Sequence, residues 1–171
     1  RGEALLCRAY NHFVLVNIFS KAYSPKTSTT DLGIPYMTHL ETTVSPEYTR
    51  GTVAEVYEKI AADIEAGLPL LNDAIYSVPK YHFNKKAAYA FATRFNLFYV
   101  KPDKSNYQKV VEYATQVLGS NPDRVLRQMS NYIPLGAGDV TNAYVQASEN
   151  CNLLIIPAYS TAGRIGSGSG P

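Results

Sequence analysis

Four segments of this 171-residue chain place their apolar residues at the spacing of one helical face. They are predicted as helices over about residues 2–20, 52–71, 84–100 and 104–118. A helix of this kind buries its apolar face only by packing against another element, so the chain is constrained to a mainly helical fold. Only a few residues separate the third and fourth segments, which requires an antiparallel helix pair.

The second predicted helix begins at a capping box, Thr52-Val53-Ala54-Glu55. The threonine hydroxyl accepts a hydrogen bond from the Glu55 amide, while the glutamate side chain reaches back to the threonine amide. The apolar residues that follow have the pattern of an amphipathic helix that packs in a core. They are Val53, Val56, Tyr57, Ile60, Ile64, Leu68 and Leu71.

The third predicted helix begins after Asn84, and the fourth ends at Gly119. Small and aromatic residues share one face of the third helix, and the fourth has one apolar stripe. These residues are Ala88, Phe91, Ala92, Phe95, Phe98 and Tyr99, then Tyr107, Val110, Val111, Ala114, Val117 and Leu118. A pair of about 35 residues with this alternation resembles a tetratricopeptide-type helix pair, although the usual Trp and Leu-Gly positions are absent.

The remaining chain is less regular. Two adjacent apolar stripes on the first helix predict that most of its circumference is buried. The proline-containing segment 21–50 follows, and connections of that length usually carry function. After Asn121 the periodicity weakens, and we predict short helices over 123–132 and 141–148 and a strand or an extended segment over 152–159.

Charge and motifs exclude several classes of function. The formal net charge is +2, from 16 Lys+Arg and 14 Asp+Glu, and the basic residues are scattered, which argues against nucleic-acid binding. The apolar runs are too short to cross a bilayer. The chain contains no G-x-S-x-G, P-loop or H-E-x-x-H motif, so we predict neither an enzyme nor a cofactor site.

The histidines and cysteines form no recognisable site. His12, His39 and His82 lack metal-ligand spacing, and His12 is predicted to be a hydrogen-bonded structural residue of the first helix. Cys7 and Cys151 belong to no C-x-x-C pair. A disulfide between them is one alternative, and two buried thiols is the favoured one.

Glycoside hydrolysis requires a pair of carboxylates, and the second helix contains two pairs that are formal candidates for this role. They are Asp63 with Glu65 and Glu55 with Glu58. For both pairs we favour a solvated helix face over a catalytic role. Asp139 lies in a glycine-rich turn and is predicted to have a turn role.

Tyrosine is unusually frequent, with 14 tyrosines and no tryptophan. Those at helical spacing, Tyr57, Tyr99 and Tyr107, are predicted to pack in the core. Other tyrosines lie in irregular chain, where the ring can stack on an apolar face and the hydroxyl can bind a sugar or a peptide. These are Tyr23, Tyr36, Tyr48, Tyr76 and Tyr81.

Six segments carry a family resemblance in their order and spacing. They are GEALLCRAYNHFVLVNIFSKAY (2–23), DLGIPYM (31–37), RGTVAEVYEKIAADIEAGLPLL (50–71), KYHFNKKAAYAFATRFNLFYV (80–100), NYQKVVEYATQVL (106–118) and NLLIIPAYS (152–160). No single segment is specific, but the ordered series resembles the SusD/RagB family, a group of starch-binding outer-membrane lipoproteins.

The resemblance implies a fold of tetratricopeptide-like antiparallel helix pairs with long irregular loops that shape the ligand site. The first helix with the second, and the third with the fourth, are expected to form two such pairs. It also implies that full-length members are outer-membrane lipoproteins of Bacteroidetes-type bacteria, anchored through a lipidated cysteine. They cover a SusC-like TonB-dependent transporter, bind oligosaccharide or peptide nutrients at the cell surface, and hand them over without catalysis.

The chain also departs from that family. It lacks the lipidated N-terminus and a large part of a full-length member, so we expect an internal fragment. We assign residues 1–161 to a partial SusD-like helical domain and residues 162–171 to a flexible tail. Family ligand sites are aromatic arcs, often with tryptophan, built outside the helix pairs. No residue here matches such a motif, so catalytic and metal residues are predicted as none and ligand-binding residues as unknown.

A second hypothesis is a helical-repeat adaptor that binds a partner protein and no glycan. The helix pair over 84–118 motivates it. The long segment between the first two helices counts against it, because repeat arrays of this kind join their helices by short turns.

Overall fold

The computed structural model describes residues 1–156 of the chain. Within this range the structure has five α-helices and no β-strand, so the predicted mainly helical fold is confirmed. The helices are α1 (Gly2–Phe19), α2 (Val53–Gly67), α3 (Lys85–Phe98), α4 (Asn106–Leu118) and α5 (Ala137–Tyr144). Short 3-10 helices cover Leu68–Leu70, Asp73–Ile75, Pro79–Tyr81, Pro122–Arg124 and Met129–Tyr132.

α1 and α2 form the first antiparallel pair. Gly2, at the start of α1, lies against Gly67, at the end of α2. At the opposite end of the pair, the Tyr57 hydroxyl donates to the Asn17 side chain at 3.3 Å. A Cβ atom added to Gly67 would overlap the Leu6 side chain. The two helices therefore approach closely only because glycine occupies this crossing.

α3 and α4 form the second antiparallel pair. The Tyr89 and Tyr113 rings lie 5.7 Å apart between centroids, and the buried Asn106 side chain donates to the Asn96 carbonyl. α3 begins at Asn84, whose side chain accepts from the Ala87 amide, and the predicted cap is therefore present. Both predicted helix pairs are confirmed.

An aromatic core joins the two pairs. Phe13 of α1 lies edge-on to Phe91 and Phe95 of α3, with ring centroids 5.7 and 5.9 Å apart. Tyr57 of α2 stacks on Phe95 at 5.7 Å and is fully buried. Edge-on and offset aromatic pairs add to the free energy gained from burying their area.

Two predictions about helix burial are wrong for residues 1–156. On α1, Val14, Leu15, Ile18 and Phe19 are exposed, because α2 and α3 pack on the other side of the helix. On α4, the predicted stripe residues Tyr107 and Val111 are also exposed. α4 turns Tyr113 and Val117 inward instead.

The first part of the segment between α1 and α2 completes the start of α2. The Val53 and Ala54 amides donate to the carbonyl oxygens of Asp31 and Ser28, both at 2.9 Å. The capping box is present, with the Glu55 amide donating to the Thr52 hydroxyl. These amides lack partners within the helix, so the segment stabilises α2.

The chain after α4 differs from its predicted elements. Two 3-10 helices, Pro122–Arg124 and Met129–Tyr132, replace the helix predicted over 123–132. α5 begins earlier than predicted and ends at Tyr144, whose carbonyl accepts from the Asn152 side chain at 2.8 Å. Residues 152–156 have no regular secondary structure, in line with the predicted extended segment. The rest of that segment and the predicted tail lie outside the described residues.

Candidate ligand-binding surface

Residues 122–156, called here the C-terminal lobe, lie against the chain that connects α2 to α3. The Lys80 ammonium donates to the carbonyl oxygens of Ala147 and Glu149, at 2.5 and 2.6 Å. The Asn84 side chain donates to the Leu153 carbonyl at 2.8 Å, and the Ile155 amide donates to the Lys80 carbonyl at 2.8 Å. Two side chains of the helical frame therefore hold the lobe by its backbone.

Two neighbouring cavities open at this contact, and both are lined by Arg124 and Asn150. The first, the Lys80 cavity, has a volume of about 410 Å³. It is lined by Asp73, Pro79, Lys80, Asn84, Lys86, Arg124, Val125, Asn150 and Leu153. The second, the Tyr132 cavity, has a volume of about 330 Å³. It is lined by residues 123–124, 126–128, 131–132 and 148–151.

Arg127 organises the lobe around the Tyr132 cavity. Its guanidinium carbon lies 4.0 Å from the centroid of the Tyr144 ring. Its nitrogens donate to the Tyr132 hydroxyl at 2.8 Å and to the Asn152 side chain at 2.6 Å. A guanidinium held by hydrogen bonds and an aromatic face has little remaining freedom. The arginine therefore joins three segments of the C-terminal lobe.

The Tyr132 hydroxyl is a hydrogen-bond donor at neutral pH. It is buried and donates to the Glu149 carboxylate at 2.9 Å. Burial, together with this acceptor, raises the pKa of Tyr132 above its ordinary value. Tyr144 lies beside it, with ring centroids 5.1 Å apart, and is 38% exposed. The Tyr144 ring therefore offers an accessible aromatic edge next to the cavity.

The side chains around the Tyr132 cavity suit a ligand with many hydroxyl groups. Arg124, Gln128, Asn131 and Asn150 are exposed and present planar groups with several donors. An aromatic ring with an apolar face and a polar tip can stack on a sugar ring and donate to a hydroxyl. The surface can therefore bind and orient a polar ligand.

The carboxylate predictions are partly wrong. Asp63 does not lie on a solvated face: it is buried and accepts from Arg8 Nε and Nη2, both at 2.6 Å. The Tyr36 hydroxyl donates to the same carboxylate at 2.7 Å. The cause is the position of Asp63 on the face of α2 that packs against α1. This site is a structural ion pair rather than a catalytic dyad.

The other predicted carboxylates have ordinary roles. Glu65 is half-exposed and accepts from Lys109 of α4 at 2.5 Å. Glu55 belongs to the capping box, and Glu58 is exposed. Asp139 lies in the first turn of α5, so its predicted role in a loop turn is wrong: the helix begins at Ala137, before this residue. No group of three or more metal-ligating side chains is arranged for a metal within residues 1–156.

His12 is a structural histidine, as predicted. It is buried, its Nδ1 bonds the Arg8 carbonyl at 2.8 Å, and its Nε2 accepts from the Met37 amide at 3.0 Å. The His12 ring thus joins the segment that follows Tyr36 to α1. His82 lies 3.0 Å from the Glu3 carboxylate, and His39 is exposed.

The two cysteines do not fit the favoured alternative. Cys7 is exposed and Cys151 is partly exposed, and both are free thiols. Cys7 projects from the side of α1 that does not face α2. Neither the predicted burial nor the alternative disulfide is present in the structure.

The loop tyrosines are mostly structural. Tyr23 packs on Tyr57 and Tyr99, and Tyr36 lies flat on His12 with centroids 4.0 Å apart. Burial and donation to Asp63 raise the pKa of Tyr36. Tyr76 stacks on His82 at 4.3 Å. Tyr48 and Tyr81 remain exposed, and Tyr48 donates to Glu41.

Sequence reasoning missed Arg127, Tyr132, Tyr144 and Asn152. The available signal was a cluster of aromatic and amide side chains in a segment with little periodicity. This signal shows which residue types are present but not that they lie close together, because the four residues meet only in the folded lobe.

The comparisons with known proteins agree with this architecture. A family model, SusD-like_3, described as starch-binding and associating with the outer membrane, matches residues 1–97. The match covers more than half of the chain, and the chain belongs to the SusD-like family. No curated protein matches it at a significant level.

Solved structures of this family are similar to the chain. A SusD superfamily protein from Bacteroides thetaiotaomicron is 28% identical, with a TM-score of 0.56, covering 78% of this chain and 27% of that one. A SusD superfamily protein from Bacteroides vulgatus is 25% identical, with a TM-score of 0.61, covering 78% and 28%. A SusD-like carbohydrate-binding protein from the same species, 20% identical with a TM-score of 0.60, covers 77% and 26% and shows the fold alone.

The chain thus spans between a quarter and a third of the length of these solved proteins. Within residues 1–156, no helix combines the length and the apolarity that are needed to cross a membrane.

Proposed function

We propose that this chain belongs to a non-catalytic protein that binds oligosaccharide nutrients, or peptides, at the cell surface. The observation that carries this proposal is the match of residues 1–97 to a family described as starch-binding. The two helix pairs act as a rigid frame, and the C-terminal lobe supplies ligand contacts.

The chemistry of the candidate surface supports binding rather than hydrolysis. Glycoside hydrolysis needs two carboxyl groups that flank one bond, one as acid and one as base or nucleophile. Asp63 is committed to Arg8 and Tyr36, and Glu149 to the Tyr132 hydroxyl. The exposed groups that line the Tyr132 cavity include amides, a guanidinium and the Asp123 carboxylate. Glu149 is bound to Tyr132, so among the described residues that line this cavity Asp123 has no second free carboxylate beside it to complete a catalytic pair.

We further propose that the full protein acts at the outer membrane and passes its ligand to a SusC-like TonB-dependent transporter. The support is the description of the family as associating with the outer membrane. In this proposal a lipid anchor is the protein's link to the membrane. Co-purification of the transporter with the full gene product from outer-membrane fractions tests the partnership.

Calorimetric titration of the 171-residue chain with malto-oligosaccharides and other neutral oligosaccharides tests ligand binding. We expect Tyr144→Ala to weaken binding at least tenfold, about 1.4 kcal/mol, because the exposed ring is lost. Tyr48→Ala is the matched control, since Tyr48 is 45% exposed and lies in the segment between α1 and α2. Chromatography of the recovered sugar should show no cleavage.

Three results would count against the proposal or against its site. Absence of binding to every oligosaccharide and peptide, with a partner protein captured instead, would favour the helical-repeat adaptor. Turnover of the sugar that disappears in Asp63→Asn or Glu55→Gln would favour an enzyme. Equal losses in Tyr144→Ala and Tyr48→Ala would place the ligand elsewhere.

A further inference from the structure

We propose that the Lys80 cavity binds a carboxylate-bearing sugar, so that the ligand is an acidic oligosaccharide such as a uronate. This inference rests on the proposed function, because it names the ligand class of the same surface. It begins from the charges that line the cavity: Lys80, Lys86 and Arg124 against Asp73 alone.

The single carboxylate of the cavity is already engaged. Asp73 Oδ1 accepts from the Lys85 amide, at the start of α3, at 2.9 Å. A helix start favours a negative charge, so Asp73 is stabilised where it stands. Its charge offsets one of the three positive charges, and the cavity keeps a net charge of +2 (three minus one). The role of Asp73 is to cap α3.

None of the three cations forms an ion pair within residues 1–156. The partners of Lys80 are two backbone carbonyls, which accept hydrogen bonds but carry no net charge. Lys86 and Arg124 are exposed, and within residues 1–156 neither side chain has a hydrogen-bond or ion-pair partner. An anion placed in the cavity would gain charge-assisted hydrogen bonds from groups that are otherwise unpaired.

The neighbouring cavity is lined by equal numbers of positive and negative side chains. Around the Tyr132 cavity, Arg124 and Arg127 are matched by Asp123 and Glu149. Arg127 and Glu149 are both bound to the Tyr132 hydroxyl and do not need an external partner. The Tyr132 cavity is therefore suited to a neutral sugar ring, and the Lys80 cavity to its acidic neighbour.

Arg124 lies at the border and lines both cavities. Its planar guanidinium can form two parallel hydrogen bonds with a planar carboxylate, which an ammonium group cannot do. We therefore assign the carboxylate contact to Arg124 and the long-range attraction to Lys86. The volume of about 410 Å³ is within the range of small-ligand sites.

The test compares trigalacturonic acid with its methyl ester by calorimetry on the 171-residue chain. The ester keeps the sugar and removes the charge. We expect the acid to bind at least tenfold more tightly than the ester, and added salt to reduce that difference. Arg124→Gln and Lys86→Gln should each lower the affinity for the acid about tenfold and leave that for the ester unchanged. Lys26→Gln, at an exposed lysine of the segment between α1 and α2, is the control.

The outcomes separate the two proposals. If the ester binds as tightly as the acid, or Arg124→Gln has no effect on the acid, the acidic-ligand inference is overturned while glycan binding stands. If the chain binds neither probe and no neutral oligosaccharide, the proposed function itself fails. Circular dichroism of each variant checks that the helical frame is intact.

Discussion

Arg8 of α1 holds Asp63 of α2 through two parallel hydrogen bonds of 2.6 Å. The hydrogen bond to Asp63 raises the pKa of Arg8. Tyr36 donates to the same carboxylate and stacks on His12, whose ring accepts from the Met37 amide. One ion pair thus joins both helices of the first pair to the segment between them.

We expect Asp63→Ala to destabilise the chain by about 3 kcal/mol, because the Arg8 guanidinium and the Tyr36 hydroxyl lose their acceptor in a largely buried site. Urea unfolding followed by circular dichroism measures the change. Glu58→Ala, at an exposed carboxylate of the same helix, should change the free energy of unfolding by less than about 0.5 kcal/mol. Equal effects of the two variants would show that the ion pair contributes no stability.

Gly67→Ala tests the close approach of α1 and α2. The new methyl group would overlap the Leu6 side chain and lie 3.1 Å from the Gly2 carbonyl oxygen. We expect a loss of about 1–3 kcal/mol, since the helices must separate. Gly138→Ala, in α5, has nothing within 4 Å of the added carbon and should stabilise by about 0.5–1 kcal/mol. Thermal unfolding of both variants distinguishes the effect of steric overlap on stability from the effect of helix propensity.

Alkaline pH should destabilise the chain through its buried tyrosines. Burial, with smaller contributions from Tyr23 and Glu58, raises the pKa of Tyr99 to about 12. In the unfolded chain the Tyr99 hydroxyl has its ordinary pKa, about 10. As pH rises, it therefore loses its proton in the unfolded state before it does so in the folded state. The contribution of Tyr99 to the free energy of unfolding is complete below about pH 10. As pH rises from there toward about 12, this contribution falls by about 1.4 kcal/mol per pH unit.

Tyr99→Phe measures the contribution of that single hydroxyl. The variant should lose stability less steeply than the parent chain above about pH 10. Tyr81→Phe is the control, because Tyr81 is 54% exposed. Unfolding curves at a series of alkaline pH values give the slopes, and identical slopes for parent and Tyr99→Phe would contradict the assignment.

The link between α3 and α4 depends on one buried amide. Asn106 donates to the Asn96 carbonyl and accepts from the Lys101 amide at 3.1 Å. We expect Asn106→Ala to cost about 2 kcal/mol, because both backbone groups lose their partner. Gln108→Ala, at an exposed position of α4, should be close to neutral in the same denaturation experiment.

The helical frame could be predicted because its signals are local. The Thr52 capping box and the Asn84 cap mark helix starts, and the apolar spacing of α2 defines its buried face. Asp63 illustrates the limit. It lies three residues after Ile60, a spacing that places it on the buried face, yet we predicted a solvated position for it. Nothing in the sequence indicated that Arg8, 55 positions away, is its partner.

The candidate surface could not be predicted for a related reason. Arg127 lies in irregular chain between two 3-10 helices, Tyr144 at the end of α5, and Asn152 in irregular chain. In a segment without periodicity, the sequence does not show which side chains lie on the same face. The proximity of these side chains is therefore visible only in the folded lobe. Arg124 likewise becomes relevant only because the lobe lies against Lys80 and Asn84.

The helical frame binds the C-terminal lobe by hydrogen bonds to peptide carbonyls of the lobe, at Ala147, Glu149 and Leu153. A carbonyl is present whatever amino acid occupies the position, so sequence drift in the lobe leaves this attachment untouched. Lys80 and Asn84 can therefore stay constant while the residues above them diverge. Such an attachment allows one helical scaffold to acquire new ligand preferences by mutation of the lobe alone.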